Sequence, residues 1–211
     1  MLSRAPSVFI DGPAGRLQCV VEPSSAQAGS LPLAVVCHPH PLHGGSLDNK
    51  VAQTLARALV ALGYQAVRFN FRGVGQSEGS WDEGRGEVDD ALAVVKAFGQ
   101  PHRPLAVAGF SFGAYVASQV AAQSTGRLPL QRLILVGPAV DTFAMANVPG
   151  GTLIVQGQSD EVVPLDSVLR WAQTQSLPVT VMPGTGHFFH GQLGLLKHIV
   201  MSSPLLSSEG A

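Results

Sequence analysis

Leu105-Ala106-Val107-Ala108-Gly109-Phe110-Ser111-Phe112-Gly113 decides the fold of this chain. A short apolar run leads into a glycine, a serine sits two residues later, and a second glycine follows. Beyond it Ala114, Ala117 and Ala121 recur at helical spacing. A continuously apolar run of this length fits a strand buried on both faces of a parallel sheet. A helix with a small-residue face can lie close to such a sheet. The stretch therefore reads as strand, sharp turn, helix, with Gly-x-Ser-x-Gly at the turn. A nucleophilic serine needs that setting. The strained turn projects its hydroxyl clear of the sheet, and the flanking glycines let neighbouring segments pass close. The helix N-terminus behind it supplies amides and a positive dipole end where an oxyanion would form. The alternative, a glycine-rich turn with a capping serine, does not account for its placement midway along an α/β pattern.

Outward from this turn, further apolar runs predict strands at Leu33 to Cys37, Ala66 to Phe69, Leu133 to Val136, Thr152 to Val155 and Val179 to Met182. Val8-Phe9-Ile10 and Leu17 to Val21 flank Asp11-Gly12-Pro13-Ala14-Gly15 and predict an N-terminal antiparallel hairpin. Val51, Leu55, Leu59 and Leu62 mark a helix with Ser46 as a candidate N-cap and Gly63 as its stop. Val88, Leu92, Val95 and Phe98 mark another, ending at Gly99. Pro164 fits the first turn of a helix carrying Leu165, Val168, Leu169 and Ala172. Leu193, Leu196 and Val200 mark the last, ended near Pro204. Strands alternating with helices on short links predict an α/β domain with right-handed crossovers and helices on both faces. The link Gly137 to Gly151 is too short for a helical cap, so an open site is expected. One domain over 1–211 is expected, its core 6–206 and its tail 207–211.

Composition narrows the partners. The chain has 13 Lys plus Arg against 14 Asp plus Glu and no basic run, which argues against nucleic acid. No stretch is long enough to span a bilayer and no signal peptide is evident, so a cytoplasmic protein with no membrane partner is expected. Two cysteines, Cys19 and Cys37, give neither a disulfide framework nor a zinc pattern. Cys37, inside an apolar run, is expected to be a buried, inert thiol. His38-x-His40-x-x-His43 has no nearby carboxylate and is stiffened by Pro39 and Pro41, so no metal is expected.

The chain resembles small lidless bacterial α/β hydrolases of the dienelactone-hydrolase-like and CocE-like group. The residues carrying the resemblance are the Ser111 turn, His38-Pro39-His40-Pro41 and Arg68-Phe69-Asn70-Phe71-Arg72-Gly73-Val74-Gly75, and it runs from about Val35 to Gly191. It departs at one point: dienelactone hydrolase itself uses cysteine where position 111 is serine. The resemblance implies the α/β-hydrolase fold, with an antiparallel N-terminal hairpin on a mostly parallel sheet.

A serine hydroxyl needs a base to take its proton. His187, on the glycine-rich loop Pro183-Gly184-Thr185-Gly186-His187, is the candidate, and the resemblance implies the same residue. His190 is its rival. Asp160, in Gly157-Gln158-Ser159-Asp160-Glu161, stands at the acid position the resemblance implies. Asp141 stands after the preceding strand, where it could also cap a helix, and adjacent Glu161 is expected to be exposed. The first oxyanion donor is expected to be the amide of Phe112. Pro39 and Pro41 have no N–H, and His40 stands where the resembling proteins place the second donor. Phe110, Phe188 and His190 are the candidate substrate contacts, with the Phe188-Phe189 pair equally readable as core. Trp81 and Glu78 could line a pocket or face solvent. The expected reaction is hydrolysis of small-molecule esters or thioesters, with no cofactor. The alternatives are oligopeptidase-like amide hydrolysis and a non-catalytic binding protein on the same scaffold. Oligomeric state is left open.

Overall fold

The computed structural model describes residues 6–22, 31–124, 128–203 and 205–206. Eight strands form one sheet: β1 (Ser7–Gly12), β2 (Gly15–Glu22), β3 (Leu33–Cys37), β4 (Gln65–Phe69), β5 (Leu105–Phe110), β6 (Leu130–Val136), β7 (Leu153–Gly157) and β8 (Thr180–Met182). Their spatial order is β1-β2-β4-β3-β5-β6-β7-β8. β1 and β2 pair antiparallel, as do β2 and β4, and every later pair is parallel. The hairpin is tighter than expected. Gly12 and Gly15 already pair across it, leaving Pro13 and Ala14 as the turn.

Among the described residues, five α-helices cover the sheet: α1 (Lys50–Ala61), α2 (Arg85–Phe98), α3 (Phe112–Gln123), α4 (Leu165–Thr174) and α5 (Leu193–Met201). Strand alternation sorts the apolar runs into two cores. Leu33, Val35 and Cys37 of β3, with Leu105 and Val107 of β5, pack beneath α2, α3 and α4. Ala34 and Val36, with Ala106, Ala108 and Phe110, face α1 and α5. That is why these runs are continuously apolar: neither face of the central strands meets water. Cys37 is fully buried, and burial pushes its thiol well above the ordinary range.

Two helix starts differ from expectation. Asn49, not Ser46, caps α1, its side chain accepting from the amides of Val51 and Ala52 at 2.9 and 3.2 Å. Ser46 instead belongs to the preceding turn, where its carbonyl accepts from Asn49 N. Pro164 is the residue before α4 rather than inside its first turn. Pro204 and residues 207–211, expected to end α5 and to form the tail, lie outside the described residues. The connection from β6 to β7, residues 137–152, contains no helix, and the fold carries no cap. No described helix is long and apolar enough to cross a membrane.

Candidate active site

β5 runs straight into the turn, α3 begins at Phe112, and Ser111 between them is held at φ 56°, ψ −118°. A non-glycine residue there stores strain of roughly 1–3 kcal/mol, which the surrounding structure must hold in place. Two close approaches hold it. A Cβ on Gly109 would overlap the carbonyl of Gly113, and a Cβ on Gly113 would overlap the carbonyl oxygens of Cys37 and His38. The start of α3 therefore rests backbone to backbone on the end of β3. Phe112 is the first residue of α3, so its amide has no acceptor within the helix.

The other two residues come from loops at the same edge of the sheet. Asp160 follows β7 and His187 follows β8. The two loops are tied by Ser159 N donating to Thr185 O at 2.9 Å, and a Cβ on Gly157 would overlap that same carbonyl. His187 Nε2 lies 3.1 Å from Ser111 Oγ, and its Nδ1 lies 2.7 Å from Asp160 Oδ2. Both side chains are buried. An acidic oxygen beside Nδ1 fixes the proton there and leaves Nε2 to accept from the serine. Asp160 Oδ1 accepts from the amides of Val162 and Val163 at 2.9 and 2.8 Å. Burial pulls the Asp160 carboxyl upward, but the hydrogen bonds from His187, Val163 and Val162 outweigh it and hold the group below its ordinary value. A serine, an imidazole and a carboxylate in this order can relay a proton off the hydroxyl.

The remaining candidates divide. Asp141 and Glu161 are exposed, and no helix follows Asp141 for it to cap. Phe110 is not a surface contact. Strand alternation turns it into the core, where it is fully buried with its ring 4.9 Å from that of His187 and 6.2 Å from that of Phe189. It is the floor beneath the imidazole. The Phe188-Phe189 pair splits: Phe189 is buried at φ 52°, whereas Phe188 is 51 % exposed and stands edge-on to His187 at 5.2 Å. His190 is exposed, its ring 5.8 Å from that of Phe188.

On the other side of Ser111, His40 opens a short 3₁₀ turn, Pro41–His43. Its carbonyl accepts from His43 N and Gly45 N, and its Nδ1 accepts from Leu42 N at 3.2 Å. The ring contacts Trp81 at 4.6 Å and Phe112 at 5.3 Å. Burial, then neighbouring His43, lowers its pKa. Trp81 thus joins the wall of the site, whereas Glu78 is occupied with Arg16 at the surface. Arg72, fully engaged with buried Asp90 through its backbone and guanidinium, pins the loop between β4 and α2.

Two buried residues have roles that the sequence reading did not assign. His38 donates from Nδ1 to Pro39 O at 2.7 Å and accepts on Nε2 from Phe71 N at 3.2 Å. Burial pushes its pKa down to about 3, so it is a neutral, buried strut tying Pro39 to Phe71. Gln156, fully buried in β7, donates to Asp160 Oδ2 at 3.0 Å. Its signal was available: a polar residue directly continuing the apolar run Leu153-Ile154-Val155, ahead of the Asp160 loop. Among the described residues, no group of three His, Cys, Asp or Glu side chains is placed to hold a metal ion.

Comparison with known proteins agrees with this architecture. The family model described as serine aminopeptidase, S33, a hydrolase family, matches residues 32–149. An uncharacterised protein of Rickettsia prowazekii is 35 % identical over 203 residues, covering 87 % of this chain and 82 % of the relative. A Xanthomonas campestris crystal structure, described as a member of the α/β serine hydrolases without a lid, is 40 % identical. It superposes with a TM-score of 0.83 over 96 % of this chain and 94 % of its own. An α/β serine hydrolase homologue from Coxiella burnetii is also 40 % identical, with a TM-score of 0.79 over 95 % and 98 % of the two chains. By sequence and by fold, the chain belongs to the α/β-hydrolase family that the serine aminopeptidase S33 model describes.

Proposed function

We propose that this chain is a serine hydrolase that cleaves small carboxylic esters or thioesters through an acyl-enzyme on Ser111. The observation that carries the reading is the unbroken chain from Ser111 Oγ through His187 to Asp160, at 3.1 and 2.7 Å, behind a strained serine. Ser111 Oγ attacks the carbonyl carbon while its proton passes to His187 Nε2. The amides of Phe112 and His40 receive the oxyanion. His187 then gives the proton to the leaving alcohol or thiol, freeing it and leaving the acyl group on Ser111. Water repeats the sequence and releases the acid. Asp160, held ionised, keeps the imidazole proton on Nδ1 and stabilises the imidazolium. No step calls for a cofactor or metal. Half-exposed Phe188, with His190, is the candidate substrate wall beside the base, and Trp81 with His40 takes the place expected of Phe110.

The uncapped β6–β7 connection supports short acyl groups. Burial contributes about 0.8 kcal/mol per methylene, and an open site has little wall to supply it. Amide hydrolysis is the second reading, favoured by the family's description as serine aminopeptidases. Fluorophosphonate should label Ser111. A panel of p-nitrophenyl esters, acyl-CoA thioesters and aminoacyl anilides should then favour short esters or thioesters. A kcat/KM that keeps climbing past octanoyl, or a jump in rate above the substrate's critical micelle concentration, refutes the open-site reading. Faster turnover of anilides moves the assignment to amides, and absence of labelling leaves a binding protein on a hydrolase scaffold.

A further inference from the structure

Gln156 is fully buried in β7, among residues that are otherwise apolar. Its amide nitrogen donates twice, to Asp160 Oδ2 at 3.0 Å and to Val163 O at 2.7 Å. Both partners can only accept, so the nitrogen and not the oxygen must face them. The amide oxygen is thereby left buried with no hydrogen-bond partner. An orphaned acceptor costs stability on the scale of a lost hydrogen bond. An unbranched apolar side chain of similar length would avoid that cost in the core. The reason for a glutamine here lies with what its nitrogen touches.

Oδ2 of Asp160 is also the oxygen bonded to His187 Nδ1, while Oδ1 is satisfied by the Val162 and Val163 amides. With Gln156 in place each carboxylate oxygen accepts two donors. Without it, Oδ2 would be held only by the imidazole it is meant to hold. A second donor also draws negative charge away from the face that meets the imidazole.

We propose that Gln156 is a positioning residue for this site: it fixes Oδ2 of Asp160 independently of His187 and moderates the negative charge that oxygen presents to the imidazole. The inference rests on the reading of His187 as general base. Asp160 is the ionisable group buried against His187. Glu161 on the Asp160 loop, Asp141 on the β6–β7 connection and His190 on the His187 loop are all exposed, where solvent screens them.

The test is the pH profile of kcat/KM for p-nitrophenyl acetate in Gln156→Met, with thermal stability measured alongside. Losing the donor leaves a more basic carboxylate beside His187, so the acidic limb should move to higher pH by roughly half a unit or more. Tm should hold or rise, because the orphaned oxygen is gone. Gln156→Glu can donate to Asp160 only while protonated, and once ionised it adds a second negative charge beside Oδ2, so its acidic limb should move at least as far as that of Gln156→Met. An unmoved acidic limb in Gln156→Met overturns the proposal, as does its failure to fold, since glutamine would then be serving the core. These results differ from failure of the underlying reading, which would appear as wild-type turnover in Ser111→Ala or His187→Ala.

Discussion

Acid should weaken this fold through His38 in particular, and by an amount that can be worked out. In the folded state both ring nitrogens are committed, one to Pro39 O and one to Phe71 N, with the ring sealed from water. A proton on Nε2 would have to evict the Phe71 amide, which is why burial pushes the pKa from 6.5 down to about 3. In the unfolded chain the same ring takes its proton near 6.5. Between those values the unfolded state binds one more proton than the folded state, so stability rises with pH and is lost progressively as pH falls. At 1.36 kcal/mol per unit, the loss from His38 alone is about 1.4 kcal/mol at about pH 5.5 and about 2.7 kcal/mol at about pH 4.5. Urea unfolding of wild type and His38→Gln at about pH 7.5, 5.5 and 4.5 isolates this contribution, because other titrating groups act on both proteins alike. Whatever advantage wild type holds at the highest pH should shrink by about 2.7 kcal/mol at the lowest. If the two proteins lose stability in parallel to within about 0.5 kcal/mol, the folded state accepts the proton and His38 is not a sealed strut.

Ser111→Ala and His187→Ala should each lower ester turnover by roughly three or more orders of magnitude with circular dichroism unchanged, whereas His190→Ala should stay within a few-fold of wild type. A reversed order of the two histidines would reassign the base. Asp160→Asn should cripple turnover by favouring the wrong imidazole tautomer, while exposed Asp141→Asn and Glu161→Gln should not, as steady-state kinetics on the three would reveal. Gly113→Ala forces a methyl into the Cys37 and His38 carbonyls and should destabilise by several kcal/mol, on the order of 3 or more, or prevent folding. Gly150→Ala, which meets nothing within 4 Å, should be within about 0.5 kcal/mol of neutral, and chemical denaturation of the pair is the check.

Position along the chain was legible in the sequence; direction in space was less so. The Ser111 turn could be read because glycine spacing and apolar runs record strand and helix directly. Phe110 illustrates the limit. It adjoins Ser111 in sequence, yet the alternation of β5 sends its ring to the opposite side, beneath His187. Ser46 and Asn49 are equally good caps by residue type. The choice depends on how the preceding loop is anchored, and that anchor is Leu47 N donating to Asn70 Oδ1, from 23 residues away. Asp160 and Asp141 could be ranked but not separated until the 2.7 Å contact with His187 was known. Gln156 was passed over, and His38 was weighed only as a motif residue and metal ligand, because the reading looked for groups that react, and these two act by holding other groups still.

The seat of α3 on β3 implies an asymmetry in how this site can be tuned. Through Gly113 the serine turn and the start of the His40 loop are registered by main chain against main chain. Such a joint has no rotamers and no volume to trade, so substitutions in the surrounding core cannot adjust it by small steps. The imidazole rests instead on a stack of side chains, Phe110 and then Phe189. Each ring there can be exchanged for one slightly larger, smaller or flatter. Gradual changes in rate should therefore arise on the His187 side, whereas the Ser111 and His40 side should behave as a fixed jig, intact or lost.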